Sequence, residues 1–169
     1  MHEATVGHLL RGEGDDQEIL LGKRNSHFCH GMWNGAGGKM KPDEKPLVGL
    51  RREIKEEWNA RIDVKSARHF ASVDFYHPYP NGEHRLDWRV HFYQVTSWTG
   101  KLRIIEGFSE FRWFKLNDMP YREMNIDNRM WIPIAHDGLA AGKVFKGEVF
   151  YGDSQMKSFD RISFQLVPV

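Results

Sequence analysis

Leu47, Leu50, Ile54 and Trp58 recur at helical spacing, while Glu53, Glu56 and Glu57 fall opposite them at i, i+3 and i+4. One segment therefore carries an apolar stripe that has to be buried and an acidic face that has to be solvated or neutralised. Pro46 suits the first turn, where a missing N–H costs little. Asn59 suits the exit, because Asn tolerates the left-handed conformation second only to Gly. Three like charges this close repel one another and add nothing to helix stability. A bound divalent cation removes the penalty, and hard oxygen ligands select Mg²⁺, with Mn²⁺ as the substitute. For an isolated cluster, a solvated acidic face is the ordinary reading.

Around this helix the chain alternates strand signals with turns. Residues 5–10 and 18–23 read as strands joined by a polar turn, and the glycine-rich segment 33–38 follows. Residues 67–76 and 86–96 form a second strand pair, and 111–116 a shorter strand closed by the turn 117–120. A second helix is expected over 127–141, and a closing hairpin over 144–151 and 158–167. The fold class is mixed α/β (α+β) with more strand than helix. No repeat or linker divides the chain, so residues 1–169 are read as one domain, a size that allows a sizeable core.

The spacing around the acidic helix is what lifts it above a solvated face. Gly38, Glu44, Arg52, Glu53, Glu56 and Glu57 stand at the intervals of the Nudix box. At about one in fifteen per site, these fixed positions recur by chance on the order of 10⁻⁵ over a chain this size. The chain thus resembles the Nudix hydrolases, which implies a mixed, curved sheet sandwiched between helices. The resemblance makes Glu53, Glu56 and Glu57, with the carbonyl of Gly37 or Gly38, the metal ligands. It pairs Glu44 with Arg52, and it makes Glu57 or Glu56 the first candidate for deprotonating the attacking water. Glu106 and Glu110 are both available as a further acid. The box departs from its pattern at Asn59 and Ala60, which replace Gly and a bulky apolar residue; Ile62 is expected to restore the anchor.

Residues 28–39, 112–116 and 124–133 also resemble vertebrate-type 8-oxo-dGTP diphosphatases of the MutT branch, with an apparent insertion around 77–85. This likeness implies hydrolysis of oxidised purine nucleoside triphosphates, such as 8-oxo-dGTP or 2-oxo-dATP, to monophosphate and pyrophosphate. It places Asn34, Phe28, Asp127, Asn128 and Trp131 at the base pocket, with Lys39 and either Lys23 or Arg24 at its mouth. Trp131 reads equally as core packing, and Asn34 as a turn residue. A second family aspartate is Asn128 here, and a stacking tryptophan is Asn125. Substrate choice is therefore expected to depend less on pH than in relatives with two aspartates. A broader diphosphate-linked specificity is the alternative. A non-catalytic sensing module is disfavoured, because such modules lose box carboxylates and this chain keeps them.

Composition bounds the partners. Lys and Arg number 24 against 23 Asp and Glu, so no basic excess points to a nucleic-acid polymer. The 6 Trp, 11 Phe and 5 Tyr provide flat faces for a planar ligand as well as core. The lone Cys29 excludes an internal disulfide, and His27, Cys29 and His30 lack a partner group at zinc spacing. No run of about 18 apolar residues offers a membrane span. The expected protein is a cytoplasmic monomer acting on a small nucleotide.

Overall fold

The computed structural model describes residues 1–27 and 29–169; Phe28, expected at the base pocket, lies outside the described residues. The strands are β1 (His2–Arg11), β2 (Glu18–Arg24), β3 (Trp33–Asn34) and β4 (Ala36–Lys39) before helix α1 (Pro46–Trp58). Then follow β5 (Arg61–Ile62), β6 (Ala67–Pro78), β7 (His84–Val95), β8 (Trp98–Thr99) and β9 (Phe108–Lys115). Helix α2 (Asn128–Ala140) precedes the hairpin β10 (Lys143–Tyr151) and β11 (Phe159–Pro168).

The large sheet runs β11-β10-β6-β7-β1-β2-β3, with β4 paired to β1 and β9 to β2. It is mixed: β1 runs parallel to β7 and β10 parallel to β6, while β6–β7 and β10–β11 are antiparallel. Strand alternation explains why it can carry a helix on each face. Leu9 and Leu20 join Leu50, Ile54 and Trp58 of α1 in one apolar cluster. Their neighbours Leu10, Ile19 and Leu21 join Trp131, Ile132, Ala135 and Leu139 of α2 in the other. The sandwich expected from the family resemblance is the one observed.

Asn59 closes α1 with φ 57°, its N–H bonded to the Lys55 carbonyl at 3.2 Å. Ala60 and Ile62 are both buried in the α1 cluster, so Ile62 adds a bulky apolar side chain to the core that the small Ala60 also joins. The glycine-rich stretch gave no strand signal, because glycine is depleted in strands. Pairing with β1 nonetheless makes it one: Thr5 opposes Gly38 and Val6 opposes Gly37. Glycine is what allows α1 to come close. A Cβ on Gly38 would lie 2.7 Å from the Glu53 carboxylate, and one on Gly7 would lie 2.7 Å from Ile54 Cδ1. Ile54 has no room to retreat, being fully buried. Gly7→Ala is therefore expected to destabilise the fold by about 1–3 kcal/mol, read by urea denaturation; an unchanged midpoint would show that α1 is free to shift.

Candidate active site

Helix α1 and the β3–β4 segment bring together the residues that the box spacing selected. Arg52 is the hub. Its Nε and Nη2 donate to the two oxygens of Glu44 at 2.9 and 2.8 Å, a forked pair. Nη1 donates to Glu53 at 2.6 Å and to Glu56 at 3.1 Å, and Nη2 reaches the Lys39 carbonyl at 3.2 Å. Arg52 beside it, with the Lys41 N–H, holds the Glu44 carboxyl down at about 2. The Arg52 guanidinium is in turn pushed above its ordinary range, first by Glu44.

Glu57 faces a different cation. It is only 6 % exposed, and its two oxygens accept from Arg24 Nη1 at 2.7 Å and from the Gly37 N–H at 2.8 Å. Arg24 also donates through Nη2 to the Gly37 carbonyl at 2.8 Å. Burial pushes the Glu57 carboxyl up to about 7, against the opposing pull of Arg24 and the Gly37 amide. Lys23, the other basic residue considered for the mouth, points away toward Glu110 and Glu123 at 4.0 and 3.8 Å.

The donors suit a hard divalent ion. Three carboxylates and the Gly37 or Gly38 carbonyl offer only oxygen donors, and the Arg24 and Arg52 guanidinium groups lie against the carboxylates and the Gly37 carbonyl. Among the described residues no three His, Cys, Asp or Glu side chains converge on one point. The reason is visible in the pairing: Glu53 and Glu56 are turned to Arg52, and Glu57 to Arg24. Of the two further acids, Glu106 stands in the loop that packs on Glu57. The N–H of its neighbour Ile105 donates to the Glu57 carbonyl at 2.8 Å, and Gly107 approaches the Glu57 carboxylate. Glu110 instead sits on β9, engaged by Arg112 and Lys23.

A cavity of about 330 Å³ opens beside this acidic face, with Arg24, Gly37, Gly38 and Lys39 at one end. Asn34, Asn125 and Asn128 line it further in, among Phe75, Trp88, Val90, Phe92 and Tyr151. Asp127 and Trp131 are fully buried behind this wall, bonded to each other through the Trp131 indole N–H at 2.8 Å. Trp131 belongs to the α2 core and stacks edge-on against Phe92. Trp88, Phe75 and Tyr151 were not singled out from the sequence. Trp88, Val90 and Phe92 share one strand face, so period-two spacing was the available signal. A wider depression of about 700 Å³ lies on the open face of β6, β7, β10 and β11. Its Asp74 and Arg89 neutralise each other through a forked pair at 2.7 and 2.6 Å, and no residue of the acidic helix lines it.

Among the described residues no helix is long and apolar enough to cross a membrane. The sequence pattern of the NUDIX domain matches residues 1–135. The chain is 28% identical over 118 residues to the mouse (Mus musculus) oxidized purine nucleoside triphosphate hydrolase, covering 70% of this chain and 71% of that one. It is 30% identical to a MutT NUDIX hydrolase from Burkholderia pseudomallei, with TM-score 0.57 over 70% of this chain and 86% of that chain. A MutT protein from Bacillus halodurans shares the fold over 98% of both chains, with TM-score 0.75 at 17% identity. With the box on its acidic helix and the sheet between its two helices, the chain belongs to the Nudix hydrolases.

Proposed function

We propose that this Nudix hydrolase cleaves purine nucleoside triphosphates, oxidised purines such as 8-oxo-dGTP or 2-oxo-dATP foremost, to the monophosphate and pyrophosphate. The observation that carries this reading is the continuity of two surfaces. The acidic face of α1 meets, through Gly37, Gly38 and Arg24, a cavity lined by both aromatic rings and side-chain amides. Rings stack on a planar base, and amides match the donors and acceptors on its edge. The mouse relative, named for oxidised purine nucleoside triphosphates, supports the substrate class.

Glu53, Glu56 and Glu57, with the carbonyl of Gly37 or Gly38, would hold Mg²⁺, or Mn²⁺ in its place. The chemistry such an ion supplies is charge neutralisation of the diphosphate and a more acidic attacking water. Arg24 and Lys39 line the end of the cavity next to the acidic face, where they would meet the phosphates. Glu57 or Glu56 takes a proton from the water as its oxygen attacks phosphorus. The bond between the α-phosphate and the β-phosphate breaks, and pyrophosphate leaves. The Glu57 carboxylate is held in place for this role by Arg24 and the Gly37 N–H. Arg52 keeps Glu53 and Glu56 aligned, and Glu44 anchors Arg52 from behind.

Pyrophosphate release from normal and oxidised nucleoside triphosphates at saturating Mg²⁺ tests the proposal. A preference for an oxidised purine triphosphate is the expected result. Turnover spread evenly over the panel, or absent from it, would overturn the substrate class and direct the search to other nucleoside diphosphate-linked compounds.

A further inference from the structure

On the open face of the sheet, two imidazoles converge on one hydroxyl. His69 Nε2 lies 3.0 Å, and His91 Nδ1 3.3 Å, from Ser72 Oγ. Strand pairing brings the three together. Ser72 on β6 stands directly opposite His91 on β7 and Lys146 on β10, and residues paired in this way share a face. His69, three residues before Ser72, would point to the other face under strict alternation. The break in register between His69 and Ala71 returns it to this one. On the far side of His91, its Nε2 faces the Glu3 carboxylate of β1 at 3.8 Å. A hydroxyl has one proton to donate, so one ring accepts it and the other donates to the same oxygen. Burial lowers both imidazoles from their ordinary 6.5, which keeps them neutral and able to take a proton near pH 7. Ser72, His91 and Lys146 all line the depression of about 700 Å³, so a small molecule can reach them.

We propose that Ser72 is the nucleophile of a second hydrolytic centre, separate from the acidic helix, that acts on small activated carboxylic esters. Ser72 Oγ attacks the carbonyl carbon, and its proton passes to the accepting imidazole. The bond from that carbon to the leaving oxygen breaks, and the leaving oxygen takes the proton from the imidazolium. Water then attacks the acyl-serine by the same route, which releases the acid and restores the hydroxyl. Glu3 orients the His91 ring, as a third group does in such arrangements. Lys146, opposite Ser72, offsets the negative charge that develops on the carbonyl oxygen. The surroundings favour a neutral carbonyl compound over a phosphate. Arg89 is already neutralised by Asp74, and Glu148, held by the Tyr76 and Ser163 hydroxyls, repels an anion.

The test treats the full chain with p-nitrophenyl acetate and follows nitrophenol release beside peptide mass mapping. Acetyl is expected on Ser72, removable by hydroxylamine as an ester is. Ser72→Ala lowers nitrophenol release by about tenfold or more, and Ser72→Cys restores it through the thiol, which separates loss of the nucleophile from loss of the fold. His69→Gln and His91→Gln each slow acetylation by about tenfold. In the wild-type protein the rate rises as the accepting imidazole loses its proton, in a step below pH 6.5, and then levels. The titratable and charged groups around the two rings are Glu3 on β1, Asp74 on β6, Arg89 and Tyr93 on β7 and Lys146 on β10. The step disappears in the variant that removes the acceptor; a step retained in both histidine variants would overturn the proposal. So would equal release from Ser72→Ala, a loss that Ser72→Cys does not restore, or hydroxylamine-resistant acetyl on Lys146 with Ser72 unmodified.

Discussion

Glu56→Gln is expected to lower kcat by about two to four orders of magnitude while leaving the fold intact. The side chain of Glu56 is 45% exposed and rests on the surface of α1, touching Arg52 at 3.1 Å. Glutamine keeps the length and an oxygen that can accept from Arg52, so the hub is retained. What it removes is a negative charge from the face proposed to hold the cation and a group able to take a proton. Exposed substitutions of this kind usually fall within about 0.5 kcal/mol in stability, a Tm change of about 2 °C in a chain this size. The contrast with Glu57 is instructive: that residue is buried against Arg24 and Gly37, so its loss mixes stability with chemistry. The measurement is kcat beside Tm for Glu56→Gln. Undiminished turnover would mean that the acidic face is not the catalytic one.

The second large effect is a pH dependence of stability in the metal-free protein, uncovered by Glu57→Gln. The Glu57 carboxyl stands at about 7 in the folded chain against an ordinary 4.5. Between those values the folded state binds the extra proton, so this group adds stability as pH falls and withdraws it as pH rises. His136 runs the other way. Burial lowers it from 6.5 to about 4, so the unfolded chain binds more protons and stability is lost as pH falls through that window. His136 is held between His8, at 3.1 Å, and Gln94, at 2.6 Å. Burial lowers His8 as well, with His136 adding to the effect. Each shift of this size corresponds to about 3 kcal/mol. The two trends oppose each other in the wild-type protein and flatten its profile. Removing Glu57 takes away its opposing contribution, and the loss between pH 7 and 4.5 should deepen by about 3 kcal/mol relative to wild type. Urea midpoints at the two pH values, in the presence of a chelator, measure it. Parallel profiles for the two proteins would refute the assignment to Glu57.

Much of the site is legible along the chain because its geometry is local. Three carboxylates at i, i+3 and i+4 share a helix face whatever surrounds them, and Glu44 and Arg52 follow from fixed spacing to that face. Asn59 ends α1 because few side chains accept a positive φ, a property of the residue itself. The alternation of Leu9 with Leu10 and of Leu20 with Leu21 already sorts a sheet's two faces. Other features depend on which strands meet. Lys23 and Arg24 are adjacent in sequence, yet successive side chains on a strand point to opposite faces, and only the placement of β2 sends Arg24 to Glu57. The glycine-rich segment became β3 and β4 through pairing with β2 and β1, against its own propensity. Asp127 and Trp131, expected at the base pocket from the family likeness, are instead buried behind the cavity wall, where Tyr151, 24 residues further on, binds the carboxylate. Periodicity records the contacts a residue makes with its own helix or strand. Glu57 as the partner of Arg24, Tyr151 as a partner of Asp127 and His2 beside Trp88 come from elements distant in sequence, and packing chose them.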